Sequence, residues 1–258
     1  MFDLKNKTVL ITGGAGLLGK MHAEAILEHG GAVIIADCDF EKAEEVASEL
    51  RKHHEENNVH AIFMDVTNSK SIAEAIRAFP SINVLINNAA RNPDVSDNKK
   101  LGGHFETLTL TEWRKDIQIS MEGNFLCSQA FCNKFVEDGA GNIINIASDL
   151  GVIAPDQRIY LDDRKPITYS ASKFAIIGMT KYLATYYADK NIRVNCLSPA
   201  GVYTNQPADF VERLTNLIPM GRMAKVDDYK GAIVFLCSEG SSYMTGANMI
   251  IDGGRTAW

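Results

Sequence analysis

Short apolar runs alternate with longer segments of mixed polarity along the whole chain. TVLIT (8–12), AVIIAD (32–37), HAIFMDV (60–66), INVLINNAA (82–90), GNIINIAS (141–148), IRVNCLSP (192–199) and ANMIIDGG (247–254) read as strands. Each is apolar at nearly every position, the pattern of strands buried on both faces. Between them the apolar residues recur at helical spacing: Phe40, Ala43, Val46, Ala47 and Leu50 share one face of a helix running from Phe40 towards Glu56. The same reading predicts helices over Leu17–His29, 69–79, 109–136, Tyr169–Asp189 and 226–238, with a short one within 205–220. Strand–helix alternation predicts an α/β fold, a Rossmann-like doubly wound parallel sheet of about seven strands with helices on both faces. No Gly-, Ser- or Pro-rich linker and no repeat divides the chain, so residues 1–258 read as a single domain.

Composition narrows the function classes. Of 258 residues, 46% are hydrophobic and 22% charged, enough to bury a core without staples. Lys and Arg total 26 against 32 Asp and Glu, a net charge of −6 with no basic run, which argues against nucleic-acid partners. The five cysteines, Cys38, Cys127, Cys132, Cys196 and Cys237, form no C-x-x-C pair. Their odd number and irregular spacing predict reduced, mostly buried thiols rather than a disulfide framework, and no metal site is expected. The opening MFDLKNKTVLITGG lacks the features of a signal peptide, and no stretch approaches a membrane span, so a cytoplasmic location is expected.

ITGGAGLLGK (11–20) places Gly14, Gly16 and Gly19 in a G-x-G-x-x-G pattern. Alone, that is as readily a glycine-rich turn as a binding loop. A strand before it and a helix after it supply the context for a pyrophosphate cradle: glycines permit close backbone approach, and the helix N-terminus presents free N–H groups. Asp37 ends the second strand, 18 residues after Gly19. A carboxylate there can accept the adenosine ribose hydroxyls and repel the extra phosphate of NADP, and the next residue is Cys38 rather than a welcoming Arg, so NAD is expected over NADP. Asp65 and NNAA (87–90) also end strands on that side of the sheet, although each could equally cap a turn.

TYSASKFAIIG (168–178) sets Tyr169 and Lys173 at i and i+4, on one helix face. A phenol ionises near pH ~10, and an adjacent ammonium favours the phenolate, so the pair can exchange a proton with a substrate oxygen. Tyr186 and Lys190 repeat the spacing near a helix C-terminus, where Lys complements the dipole; that pair reads as structural. Ser148 ends strand five, where it could hydrogen-bond a substrate oxygen or simply its own backbone. No His or carboxylate obviously partners it, which argues against a serine nucleophile.

Taken together, TGGAGLLG, Asp37, Asp65, NNAA, Ser148, YSASK, RVNCLSPAGVYT and IDGG resemble the short-chain dehydrogenase/reductase family nearly end to end. The resemblance implies hydride transfer between a nicotinamide cofactor and a secondary alcohol or ketone. It implies Tyr169 as acid/base, Ser148 as the substrate-orienting hydroxyl, and Lys173 on the nicotinamide ribose. It assigns further cofactor contacts to Thr12, Gly13, Gly16, Leu18, Gly19, Asp37, Asp65, Val66, Asn88, Ala89, Ala90, Pro199, Val202 and Thr204, and implies a homotetramer or homodimer.

Four departures stand out. Gly13, Gly16 and Gly19 follow the glycine spacing of the family's extended branch, with Leu17 where the short branch has its middle glycine. Ser120 aligns with the usual asparagine of the catalytic tetrad, leaving Ser120, Asn124 or a water as candidates for the proton relay. Ala90 and Ala200 stand where glycine is usual, and the Ser148–Tyr169 spacing of 21 is long. The extra segment APDQRIYLDDRKPI (154–167), with 205–220, is expected over the substrate mouth. There Arg91, Arg158, Arg164 and Lys165 could meet an anionic or polyhydroxylated small molecule. The stretch from GVIAP to YSASK, with YTNQPADF later, is similar to oxidoreductases of bacterial flagellin-glycan and legionaminic-acid-type sugar pathways. A non-catalytic dinucleotide sensor and a nucleotide-sugar epimerase remain as alternatives.

Overall fold

The structure, a computed structural model, describes residues 1–91 and 104–258. Seven parallel strands form one sheet: β1 (Thr8–Thr12), β2 (Ala32–Asp37), β3 (Val59–Phe63), β4 (Val84–Asn87), β5 (Gly141–Ile146), β6 (Ile192–Pro199) and β7 (Asn248–Ile251), in the order β3-β2-β1-β4-β5-β6-β7. The helices are α1 (Leu17–Glu28), α2 (Phe40–Arg51), α3 (Ser69–Ala78), α4 (Leu110–Ile117), α5 (Gly123–Asp138), α6 (Ile167–Tyr186), α7 (Ala208–Thr215) and α8 (Lys230–Cys237).

Side chains alternate across each strand, and both faces are dry. Val9, Ile11, Val33 and Ile35 pack with residues of α1, α2 and α8. Leu10, Ile34, Leu85 and Ile143 pack on the other face against α3 and α5. This two-sided burial explains why the strands are written as unbroken apolar runs. Strand order reverses between β1 and β4, the place where open parallel sheets leave a crevice beyond the strand C-termini.

Two elements differ from the expected pattern. The helix expected over 109–136 is interrupted by a π turn at Gln118–Glu122, with Gly123 N–H bonded to the Gln118 carbonyl. Since α4 buries none of its residues, that stretch carries no apolar phase against the core in which one extra residue per turn could register. NNAA is also strand only as far as Asn87, which frees Asn88, Ala89 and Ala90 to turn over the glycine loop.

The segments 154–167 and 205–220 pack on each other. Ile159 is buried with Phe210, Leu214, Ile218 and Met223 in a small separate core, and Arg213 Nε donates to the Ile159 carbonyl at 2.9 Å. All five cysteines are free, Cys38 exposed and the other four buried. Among the described residues, no helix is long and apolar enough to cross a membrane.

Candidate active site

Main-chain geometry builds one end of the site. Gly13 has φ +59°, and a Cβ there would stand 2.9 Å from Ala89 Cα. A Cβ on Gly19 would come within 2.5 Å of the Gly13 carbonyl oxygen, so this glycine lets α1 start against the turn. Gly16 caps α1 without a side-chain hydrogen bond, leaving the helix N-terminus open. Thr12 Oγ1 accepts from the Asn88 and Ala89 N–H groups, both at 3.0 Å. Asn88 Nδ2 donates back to the Thr12 and Gly13 carbonyls at 3.0 and 2.9 Å. Asn88 and Thr12 therefore strap the turn to the end of β4.

Asp37 continues this frame. Its Oδ2 accepts from Ala15 N and its Oδ1 from Asp39 N, each at 3.1 Å, which fixes the carboxylate beside the turn. Asp65 Oδ1 accepts from the Thr67 N–H and hydroxyl, both at 2.8 Å. Gly13, Gly16, Leu18, Asp37, Asp65, Val66, Asn88, Ala89, Ala90, Pro199, Val202 and Thr204 all line a cavity of about 1070 Å³. Thr12, with Gly19, lies behind this wall and shapes it.

The far end of the same cavity is built from side chains, including Ser148, Tyr169 and Lys173. Lys173 is buried, and its Nζ donates to the Ile146 carbonyl at 2.8 Å. Burial pulls its pKa down to about 8. The Tyr169 phenol is pushed up to about 12, chiefly by burial; a Ser148 hydrogen bond lowers it and the Asp149 charge raises it. Lys173 Nζ stands 5.7 Å from the Tyr169 ring centroid, and Lys165 Nζ only 4.1 Å. The Tyr169 ring thus has a lysine four residues before it and another four after it. By contrast, Tyr186 is exposed and stacked on Tyr182, while Lys190 pairs with Asp189 at 2.9 Å.

Ser148 has a carboxylate neighbour that the sequence reading overlooked. Its hydroxyl donates to Asp149 Oδ1 at 2.8 Å and accepts from Leu150 N at 3.1 Å. Asp149 in turn forms a buried ion pair with Arg255 at 2.8 Å. Arg255 belongs to no motif and was missed; a lone cation in the tail after IDGG was its only trace in the sequence.

The relay candidates separate cleanly. Asn124 Nδ2 donates to Asn145 Oδ1 at 3.2 Å, within a buried network that includes Asn87, Ser128 and Thr180. That side chain braces the sheet. Ser120 lies in the π turn, buried, and accepts from Arg91 N at 3.2 Å. Neither side chain hydrogen-bonds Lys173.

Of the four cations expected at the mouth, Arg91 and Lys165 line the cavity. Arg158 is turned out to solvent and pairs with Asp156 at 2.6 Å. Arg164 donates to the Leu161 and Asp163 carbonyls, closing its own loop. Tyr160, Gln206, Phe210, Leu214 and Met223 complete the mouth.

A family model described as Enoyl-(Acyl carrier protein) reductase matches residues 15–256. The chain belongs to the short-chain dehydrogenase/reductase family, a family of dinucleotide-dependent oxidoreductases. It is 32% identical to an NAD-dependent glycerol dehydrogenase of Listeria innocua, over 99% of this chain and 96% of that one. A short-chain dehydrogenase of Leptospira borgpetersenii solved with bound NAD+ superposes with a TM-score of 0.84 at 34% identity, covering 98% of this chain and 94% of that one. A gluconate 5-dehydrogenase of Burkholderia cenocepacia, solved with NADP and tartrate, gives a TM-score of 0.87 at 27% identity, covering 100% and 98%.

Proposed function

We propose that this protein interconverts a secondary alcohol and a ketone on a polar, polyhydroxylated or anionic small molecule, with NAD(H) preferred over NADP(H). The observation that carries this reading is that Tyr169, Ser148 and Lys173 open on the same cavity as the glycine turn and Asp37. The residues fit a dinucleotide: Gly13 and Gly19 leave a cradle that a Cβ would fill, and α1 presents a free N-terminus to it. Asp37 favours ribose hydroxyls over a 2′-phosphate at the adenosine end.

When bound, the nicotinamide supplies the hydride acceptor or donor. The chain's part is the proton. In the reducing direction Tyr169, protonated at neutral pH, gives its proton to the substrate oxygen. In the oxidising direction the phenolate takes the hydroxyl proton as the C–H bond breaks. Formation of that phenolate is favoured by Lys173 and by the positive charge of the oxidised cofactor. The Ser148 oxygen stands beside the phenol, and its hydroxyl meets the substrate oxygen when its proton turns from Asp149 Oδ1 to the substrate. Arg91 and Lys165 line the mouth as hydrogen-bond donors suited to a carboxylate or hydroxyl-rich substrate, Arg91 while paired with Asp116 at 3.0 Å.

The relatives named for glycerol and gluconate support a polyol or sugar-acid class. The narrower likeness to flagellin-glycan and legionaminic-acid oxidoreductases belongs to the same proposal. So does self-association, which would cover the exposed Phe125 of α5 and the exposed Phe174, Tyr182 and Tyr186 of α6. The test is NADH formation on a panel of polyols and sugar acids, wild type against Tyr169→Phe. Turnover lost in the variant with NADH binding intact supports the assignment. Turnover retained would overturn it, and binding without any turnover in the wild type would favour a dinucleotide sensor.

A further inference from the structure

We propose that Arg255 is a positioning residue for the reacting end: through Asp149 it fixes the Ser148 hydroxyl and cancels the carboxylate's charge beside Tyr169. The proposal rests on the assignment of Tyr169 as acid/base and adds to it a device carried by the C-terminal tail.

The geometry is a relay of three contacts. Arg255 Nη1 donates to Asp149 Oδ2 at 2.8 Å. Asp149 Oδ1 accepts from the Leu150 N–H and from the Ser148 hydroxyl, each at 2.8 Å. Every carboxylate oxygen is thus committed, and the Ser148 hydroxyl is held in one rotamer. The side chains of Arg255 and Asp149 are 5% and 3% exposed, so water contributes little to either charge. Breaking such a pair by removing one partner leaves an uncompensated buried charge.

The tail is built to deliver Arg255. Asp252 Oδ1 and Oδ2 accept from Gly254 N and Thr256 N at 2.9 and 2.7 Å. Gly253 and Gly254 adopt φ of +66° and +89°, turning the chain back over the strand ends. Met220 N closes the turn on the Gly253 carbonyl at 3.1 Å.

The charges around the phenol show what is at stake. Tyr169 is faced by Lys173 on its own helix, Lys165 before it, and Asp149 after β5. Tyr160 is the other titratable neighbour, itself close to Arg255 and Asp149, and Tyr229 also feels Asp149. From α4, Asp116 accepts from Thr168 Oγ1 at 2.6 Å and is itself paired with Arg91 at 3.0 Å, whereas the Asp149 charge disfavours the phenolate. Arg255 neutralises that anion at the site where the phenolate must form.

The test reads the ionisation of Tyr169 without a substrate. The Cζ shift of ¹³C-labelled Tyr169, identified by its loss in Tyr169→Phe, is compared at pH ~11 in the wild type, Arg255→Met, Arg255→Lys, Asp149→Asn and the Met/Asn double variant; with the wild-type midpoint at about 12, the minor phenolate fraction at that pH shrinks when the midpoint rises and grows when it falls. Removing the cation should move the ionisation midpoint up, and removing the carboxylate should move it down, each by about one pH unit. The double variant and Arg255→Lys should sit near the wild type. A purely structural staple predicts equal midpoints throughout, and that result overturns the proposal. If Arg255→Met does not fold, Asp149→Asn against Arg255→Lys decides: a downward shift in the former alone supports the device, and no shift overturns it. Because the resonance needs no turnover, an inactive wild type would count against the oxidoreductase reading alone.

Discussion

The two ends of the cavity are made of different material. Around Gly13, Asn88 and Asp37 the surface is main chain, held by backbone donors and by glycines that no side chain can replace. Around Ser148, Tyr169 and Lys173 it is side chain, with buried charges balanced against one another. The first kind of site is fixed by shape and tolerates changes of charge nearby. The second is fixed by charge and fails when one member is removed.

The sharpest way to break this contrast is Tyr169→Phe. Loss of an acid/base group should lower kcat by about 10³-fold, while NADH affinity, read by fluorescence titration, stays near the wild-type value. A parallel loss of affinity would mean that the two ends are not separable.

Next comes Asp37→Ser, which alters charge at the shape-built end. Relieving repulsion between charges ~8 Å apart, worth about 2 kcal/mol at an effective dielectric of ~20, should narrow the NAD preference by about 30-fold. The ratio of kcat/KM for NAD and NADP measures this, and Tm should hardly move. An unchanged ratio would place the cofactor choice elsewhere.

The network behind both ends gives a smaller effect. Asn124→Ala leaves the Asn145 carboxamide and Ser128 short of a partner, and should cost about 1–3 kcal/mol in urea unfolding. Ser120→Ala, by the same measure, should cost less. If Ser120→Ala depresses kcat more than Asn124→Ala does, the π turn carries the proton relay.

The smallest effect at neutral pH concerns His22 of α1, buried with neither ring nitrogen hydrogen-bonded. Burial pulls its pKa down to about 3. The unfolded value is higher, near ~6.5, so the unfolded chain binds the extra proton between these limits. Its contribution to stability is therefore complete above pH ~6.5 and lost as the pH falls towards ~3, at up to about 1.4 kcal/mol per pH unit. His22→Leu should flatten that acid limb in denaturation curves and leave NADH binding at neutral pH unaltered.

How much was legible follows the same division. Every expected strand overlaps an observed one, although β3 runs Val59–Phe63 rather than 60–66, and the expected helices overlap observed ones, because residues buried on two faces must be apolar wherever they sit. The glycine turn, Asp37 and the Tyr169/Lys173 spacing could be read because they are local patterns carried by neighbouring residues. The π turn left no periodic trace. Asp149 lay one residue from Ser148 and was still overlooked, because only the folded tail gives it a counter-charge.

The amino-acid sequence was enough to specify the α/β topology, the family and the segments that meet at the strand ends, since each is written in short-range patterns of polarity and spacing. Tertiary structure alone decided that Lys165 lies on the Tyr169 ring, that Asn124 braces the sheet, and that Arg255 reaches Asp149 across 106 positions of chain. Charge pairing depends on distance in space, and no rule of spacing along the chain encodes it.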